Sequence, residues 1–129
     1  MATIEIRSQF VERVVLAALD AAGGVMAWQN QHGGSVLVTR VVLNVTTKST
    51  AACTLDIGPT AVSAATLNDT LIDGVDVGTA TGVFDNIENQ GTNGVSAVLV
   101  AAGSWITASK ASGAAAGLVG TAHIFFVPV

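Results

Sequence analysis

Three aspartates close together in the chain, Asp69, Asp73 and Asp76, come nearest to a metal site in type and spacing. Carboxylate oxygens are the hard ligands that Ca²⁺ prefers. The spacing nevertheless lacks the alternating acidic positions, the fixed glycine and the distal glutamate of an EF-hand loop. Asp and Asn also favour turns, because their side chains bond to nearby backbone groups. We therefore predict solvated turn residues here and no bound metal or other cofactor, with a calcium site as the alternative.

The two histidines, His32 and His123, and the single cysteine, Cys53, are the side chains on which catalysis would depend. A hydrolytic triad needs a nucleophile, a histidine and an acid that the fold brings together. The chain has no G-x-S-x-G turn or comparable local motif. Cys53 lies in an alternating apolar run, which is typical of a small buried hydrophobe. We predict that the protein is not an enzyme; in the alternative, a small hydrolase, a histidine would converge with Ser or Cys53 and an acid.

The two tryptophans, Trp28 and Trp105, could stack on a sugar ring. Such a platform usually needs several exposed aromatic side chains, and this chain contains no tyrosine. We therefore predict core or interface positions for both. A carbohydrate- or receptor-binding β-sandwich module remains the alternative function.

The elements that must position these side chains are predicted to be strands. Residues 35–47 alternate, with Leu37, Val41, Leu43 and Val45 on one face, and we expect that face to be buried. Residues 52–58 alternate in the same way, with Cys53, Leu55 and Ile57 directed inward, and Gly58-Pro59 is expected to end the strand.

The remaining segments are less regular. Residues 10–21 fit either a helical face or a strand, and we favour strands, with the two apolar runs around Gly23-Gly24 fitting a hairpin. Residues 60–94 are rich in Asp, Asn and Gly and are predicted to form a long loop, often a functional feature. Helix is expected only as short pieces near residues 10–21 or 68–76. Further strands are predicted at 96–103, 104–112 and 117–129.

Composition places these strands in one domain. The 129 residues suit a single core, and Val, Ile and Thr suit a pleated surface. Seven or eight short strands with turns about every ten residues predict an all-β, single-domain antiparallel β-sandwich, jelly-roll-like, over residues 11–129. Only 11% of residues are charged, which indicates that part of the surface is covered in an oligomer or a larger assembly.

Charge and hydropathy exclude two kinds of partner. The net charge is −4 and the few cations are scattered, so we predict no nucleic-acid binding. The long uncharged stretches are interrupted by Gly, Pro and polar residues, so we predict no membrane span. The charged beginning of the chain does not resemble a signal peptide, and synthesis in the cytoplasm is expected.

The first ten residues are predicted to form an extended N-terminal arm. Ile4 and Ile6 share one side of an alternating pattern, which a free tail would not need. We expect Ile4, Ile6 and Phe10 to contact a partner, as an added strand on a neighbour's sheet edge or on a larger surface.

Three stretches carry a family resemblance: VVLNVTTKSTAACTLDIG (41–58), TLIDGVDVGTATGVFDNIENQGTNG (70–94) and GLVGTAHIFFVPV (117–129). From about Val11 to its end the chain resembles head structural proteins of tailed bacteriophages, the capsid decoration (cement) and head-fibre-base proteins. The resemblance implies a β-sandwich or jelly-roll subunit, a homotrimer, on the outer face of the virion. It implies the major capsid protein and further copies of the chain as partners. With this resemblance, the alternative function becomes a carbohydrate- or receptor-binding β-sandwich module of a phage tail or fibre. It supplies no pattern of functional residues that can be mapped onto this sequence.

Overall fold

A computed structural model describes residues 8–19, 23–62 and 66–129, and these residues form nine strands. The strands are β1 (Phe10–Ala17), β2 (Gly24–Gln29), β3 (Val36–Thr47), β4 (Cys53–Thr60), β5 (Ile72–Asp76), β6 (Gly82–Asp85), β7 (Val98–Val100), β8 (Trp105–Gly113) and β9 (Val119–Pro128). The described ranges contain no helix that is long and apolar enough to cross a membrane.

The strands form two antiparallel sheets, which confirms the all-β, two-sheet prediction. One sheet has the order β1-β9-β3-β6, with β7 also paired to β3. The other has the order β2-β8-β4-β5. Each strand contributes alternate side chains to the core between the sheets, as expected for a sandwich. Fully buried examples are Leu16, Val41, Leu43, Ile124 and Phe126 in the first sheet and Met26, Leu55, Ile57, Ile72 and Ile106 in the second.

A β-bulge in β3 changes which side of that strand faces the core. Val38 is buried before the bulge and Val41 is buried after it, although an unbroken strand would place them on opposite faces. The pairing with β9 shifts register between Val38 and Arg40, and the extra residue shifts the alternation by one position. The prediction that Leu37 shares the buried face of Val41 is therefore wrong, because Leu37 lies on the outer face and is half-buried.

The strand favoured within residues 10–21 is confirmed over Phe10–Ala17 as β1, but the hairpin around Gly23-Gly24 is wrong. β1 pairs with β9, whereas β2 pairs with β8 in the opposite sheet. The two strands therefore belong to different sheets, and Gly23, which directly precedes β2, has a positive φ of 105°. A Cβ there would lie 3.1 Å from the Lys110 side chain, so both conformation and space favour glycine.

The long loop predicted over residues 60–94 contains two strands. β5 begins at the apolar pair Leu71-Ile72, and β6 contains the apolar pair Val83-Phe84. Residues 68–76 form no helix. β4 also continues through Pro59 to Thr60, so the predicted end at Gly58-Pro59 is wrong. Pro59 pairs with β8, and the pairing of β4 with β5 extends only to Ile57, which leaves an edge position where proline is tolerated.

Candidate interaction surface

The outer face of the five-stranded sheet carries a continuous row of apolar side chains. Val11 of β1 lies opposite Phe125 of β9, and Val127 of β9 lies opposite Leu37 of β3, which in turn lies opposite Leu99 of β7. Val11 is 54% exposed and Leu99 is 60% exposed, while the other three are half-buried. We call these five residues the outer apolar band. Contiguous exposed apolar surface of this kind marks sites of protein–protein contact.

The adjoining part of the same face is polar and positively charged. Arg13 of β1 and His123 of β9 are cross-strand neighbours, and together with Asn44, Thr46 and Thr121 they line a shallow depression. The other residues that line it are Val15, Val119 and Gly120, so no carboxylate contributes. The face therefore combines apolar contact area with hydrogen-bonding groups and a cation, a combination that suits a protein partner.

The outer face of the four-stranded sheet is covered by the chain itself. Thr107 and Ser109 of β8 are buried there, and their hydroxyls donate to the carbonyl oxygen of Thr66 at 3.0 and 3.1 Å. A Cβ on Gly58 would lie 1.9 Å from Oδ1 of Asn68, so the segment after Thr66 lies directly against β4. Among residues 8–19, 23–62 and 66–129, therefore, the face with the outer apolar band is the more open of the two sheet faces.

The three aspartates singled out in the sequence hold backbone and amide groups of their own loops. Asp76 accepts hydrogen bonds from the Thr79 hydroxyl and from the N–H groups of Gly78 and Thr79, and the Thr79 hydroxyl contributes most to lowering the pKa of Asp76. Asp73 accepts a hydrogen bond from the backbone N–H of Asn93, and Asp69 accepts one from the side-chain amide of Asn93. These are the contacts of turn residues. In the part of the chain that the structure describes, no group of three His, Cys, Asp or Glu side chains is placed to hold a metal ion.

Two further aspartates, which the sequence reasoning did not single out, are buried. Asp56 on β4 accepts a hydrogen bond from the N–H of Gly74 at 2.9 Å, and burial raises the pKa of its carboxyl. Asp85, at the end of β6, accepts from Arg40 and from the N–H groups of Ile87 and Glu88, and the bond from Arg40 is the main cause of its lowered pKa. Asp56 lies opposite Ser109 on the outer face of its sheet, and Asp85 precedes a turn. The sequence pattern at both positions is that of a surface residue.

The side chains considered for catalysis lie in three different environments. His32 packs against the rings of Phe10 and Phe126, with centroids 5.5 and 5.2 Å away. His123 faces outward beside Arg13. Cys53 is 2% exposed, and burial raises the pKa of its thiol, which disfavours the nucleophilic thiolate. The arrangement therefore offers no support for the hydrolase alternative.

The two tryptophans do not form a sugar-binding platform. Trp28 is buried, packs on Phe126 at a centroid distance of 5.0 Å and donates a hydrogen bond to Glu12 at 3.2 Å. This contact joins β2 to β1 and so links the two sheets. Trp105 is half-buried at the start of β8. The core position predicted for Trp28 is confirmed.

Of the predicted arm residues, Ile4 and Ile6 lie outside the described residues. Phe10 is the first residue of β1, pairs with Phe126 and stacks on its ring at 5.6 Å. It remains 42% exposed, so part of its ring is available for contact with another molecule.

Comparison with known proteins gives one structural likeness. Over 100% of its length the chain superposes on 91% of a chain in the solved capsid of Ralstonia phage GP4, with a TM-score of 0.57 and 16% sequence identity. No protein-family model matches the sequence, and no curated protein matches it. At this level of identity the likeness is one of fold. The sequence resemblance to phage head proteins is thus accompanied by a likeness in fold to a chain of a phage capsid.

Proposed function

We propose that this chain is a structural protein of a phage virion that decorates and stabilises the capsid by binding its outer surface as a homotrimer. The observation that carries the proposal is the outer apolar band, which is open on a sandwich whose fold is shared with a chain of a phage capsid. In this proposal the band packs against the major capsid protein.

The physical character of the open face supports a purely structural role. A decoration protein needs a rigid scaffold, apolar contact surface and few charges to desolvate. The fully buried residues behind the band, such as Ile124 and Phe126, make the sheet a rigid scaffold. The band supplies the apolar contact surface. Only 11% of the residues are charged, so few charges need to be desolvated.

The test is co-sedimentation of the purified protein with phage heads made without it. Val11→Ser and Leu99→Ser change exposed members of the band and should weaken binding at least about tenfold, because each exposed apolar anchor that becomes buried contributes on the order of 1–2 kcal/mol. Val62→Ser is the matched control, since Val62 is 58% exposed and lies on the connection after β4. Wild-type protein that does not bind heads, or band variants that bind as well as Val62→Ser, would contradict the proposal.

We propose in addition that residues 1–10 form an arm that reaches a neighbouring subunit or the capsid, with Ile4, Ile6 and Phe10 as its contacts. Deleting residues 2–9 leaves β1 intact and should give a β protein that melts cooperatively but oligomerises or binds heads poorly. If the shortened protein assembles and binds as well as the full chain, the arm is dispensable. If it does not fold, the segment belongs to the subunit's own sheet.

A further inference from the structure

β1 is the longest of the four strands that end the two sheets. It has eight residues, against six in β2, five in β5 and four in β6. The chain itself bonds to the edges of two shorter strands: the N–H of Asp73 on β5 donates to Gln90, and the N–H of Asn89 donates to the carbonyl oxygen of Asp85 on β6. In the ranges that the structure describes, residues 10–17 make no backbone hydrogen bond of this kind outside their pairing with β9.

The register of the five-stranded sheet shows which backbone groups of β1 point away from β9. The N–H of Val41 on β3 donates to Asn86, on the side of β3 away from β9. Hydrogen bonding alternates along antiparallel strands, so the next residue of β3 bonds to its partner on β9, which is His123. The backbone groups of His123 therefore point away from its other neighbour, Arg13 on β1.

The N–H and C=O groups of Arg13 consequently point out of the sheet. The same alternation directs those of Val11 and Val15 outward as well. We call the backbone groups of Val11, Arg13 and Val15 the open edge, which is about 14 Å long at about 3.4 Å per residue. The open edge is the lateral side of the strand, so a strand added there extends the sheet and leaves the outer apolar band exposed.

The arm matches the open edge in alternation and in charge. On β1, Arg13 is directed outward and Val14 is directed toward the core. On the arm, Glu5 lies between Ile4 and Ile6 in the alternating pattern. A strand that places Glu5 beside Arg13 on the outer side therefore places both isoleucines on the inner side, where they extend the core past Val14.

β1 of a second copy fits the same edge less well. Glu12 and Arg13 are the only charged residues of β1, and their side chains lie on opposite sides of the sheet. No register of β1 against β1 can therefore place an acid beside a base, whereas the arm carries Glu5 on the required side.

We propose that residues 3–7 of one copy add as a strand to the open edge of β1 in a neighbouring copy, with Glu5 beside Arg13. Five extended residues have the length of the open edge, and main-chain hydrogen bonds would satisfy its unpaired groups. Each copy donates one arm and accepts one, an arrangement that can close after three copies. The inference rests on the arm of the proposed function and names the surface that receives it.

Amide hydrogen exchange of the full chain, resolved by residue, tests which edge is occupied. In the associated protein the N–H groups of Val11, Arg13 and Val15 should be protected, and dilution to the monomer should speed their exchange at least about tenfold. Val14 is the control within the same strand, because its N–H bonds to β9 and should exchange slowly in both states.

A charge exchange tests the register. Glu5→Lys and Arg13→Glu should each weaken self-association in sedimentation by about threefold to tenfold, because each places like charges side by side. The double variant should restore association, since the two charges are again opposite. Glu88→Lys and Lys48→Glu are the matched controls, because they make the same charge changes at exposed positions outside β1. Circular dichroism of every variant keeps loss of folding separate from loss of association.

The inference is overturned if the wild-type protein stays monomeric, or if exchange on the open edge is the same in associated and dilute protein. Single variants that associate as the controls do, or a double variant as weak as the singles, would also overturn it. Head binding is measured separately. Monomeric protein that binds heads would remove the inference and leave capsid decoration standing, whereas association with a protected open edge and no head binding would do the reverse.

Discussion

Arg40 of β3 and Asp85 of β6 are joined by an ion pair whose carboxylate also closes the following turn. Asp85 Oδ2 accepts a hydrogen bond from Arg40 Nη2, while Oδ1 accepts from the N–H groups of Ile87 and Glu88 at 2.8 Å each. The next residue, Asn86, accepts a bond from the N–H of Val41 on β3. Two strands and a turn therefore depend on one short polar segment.

Asp85→Asn should lower the free energy of unfolding by about 1–2 kcal/mol at neutral pH, because it removes a charge that accepts three hydrogen bonds. The Arg40 side chain is 50% exposed, so the ion pair itself contributes only part of this loss. Because the pKa of Asp85 is lowered in the folded state, its contribution is present above the unfolded value of about 4 and is lost as the pH falls further. Chemical denaturation at several pH values checks this. A difference between wild type and variant that does not shrink below about pH 4 would contradict it.

Asp56→Asn should have the opposite effect and raise stability at neutral pH. Burial raises the pKa of Asp56 in the folded state, so its ionisation opposes folding increasingly as the pH rises above about 4. Asparagine retains an oxygen that can accept the hydrogen bond from the N–H of Gly74. Melting temperatures across the pH range measure the effect. The prediction fails if the variant melts below wild type at pH 7.

Substituting each of two neighbouring phenylalanines on β9 should affect different properties, the stability of the fold in one case and head binding in the other. Phe126 is fully buried against Trp28, so Phe126→Ala should cost about 3–5 kcal/mol of stability through lost burial and a cavity. Phe125 belongs to the outer apolar band, so Phe125→Ala should cost about 1 kcal/mol or less and instead weaken head binding. Urea unfolding and co-sedimentation provide the two measurements. Equal loss of stability in both variants would show that the outer face of β9 is covered within the subunit.

The Cys53 thiol should report opening of the core. Because it is 2% exposed and burial raises its pKa, its reaction with a thiol-specific reagent should be at least about a hundredfold slower in the native protein than in denaturant. Absorbance of the released chromophore gives both rates. Cys53→Ala should abolish the signal, and similar native and denatured rates would show that β4 opens readily.

The alternation of residues along β4 was sufficient to predict its buried side. Cys53, Leu55 and Ile57 are separated by two positions each, and the pleat of a strand places such residues on one face. The same pattern in β3 led to an incorrect prediction for Leu37, because the bulge near Arg40 depends on pairing with β9, far away in the chain. The Asp, Asn and Gly residues of 60–94 were sufficient to predict turns there. The strands β5 and β6 could not be predicted, because they are extended through pairing with β4 and β3 respectively.

The sequence by itself therefore determined that the chain folds as strands, where β3 and the first part of β4 lie, and that few charges are available at its surface. Only the tertiary structure decided which apolar residues remain exposed. Phe125 and Phe126 are adjacent and equally apolar, and the packing of β2 and its Trp28 against one face of β9 is what buries Phe126 and leaves Phe125 facing outward. Period-two alternation gives each strand two sides, but the side that is covered depends on strand partners that are distant in the sequence.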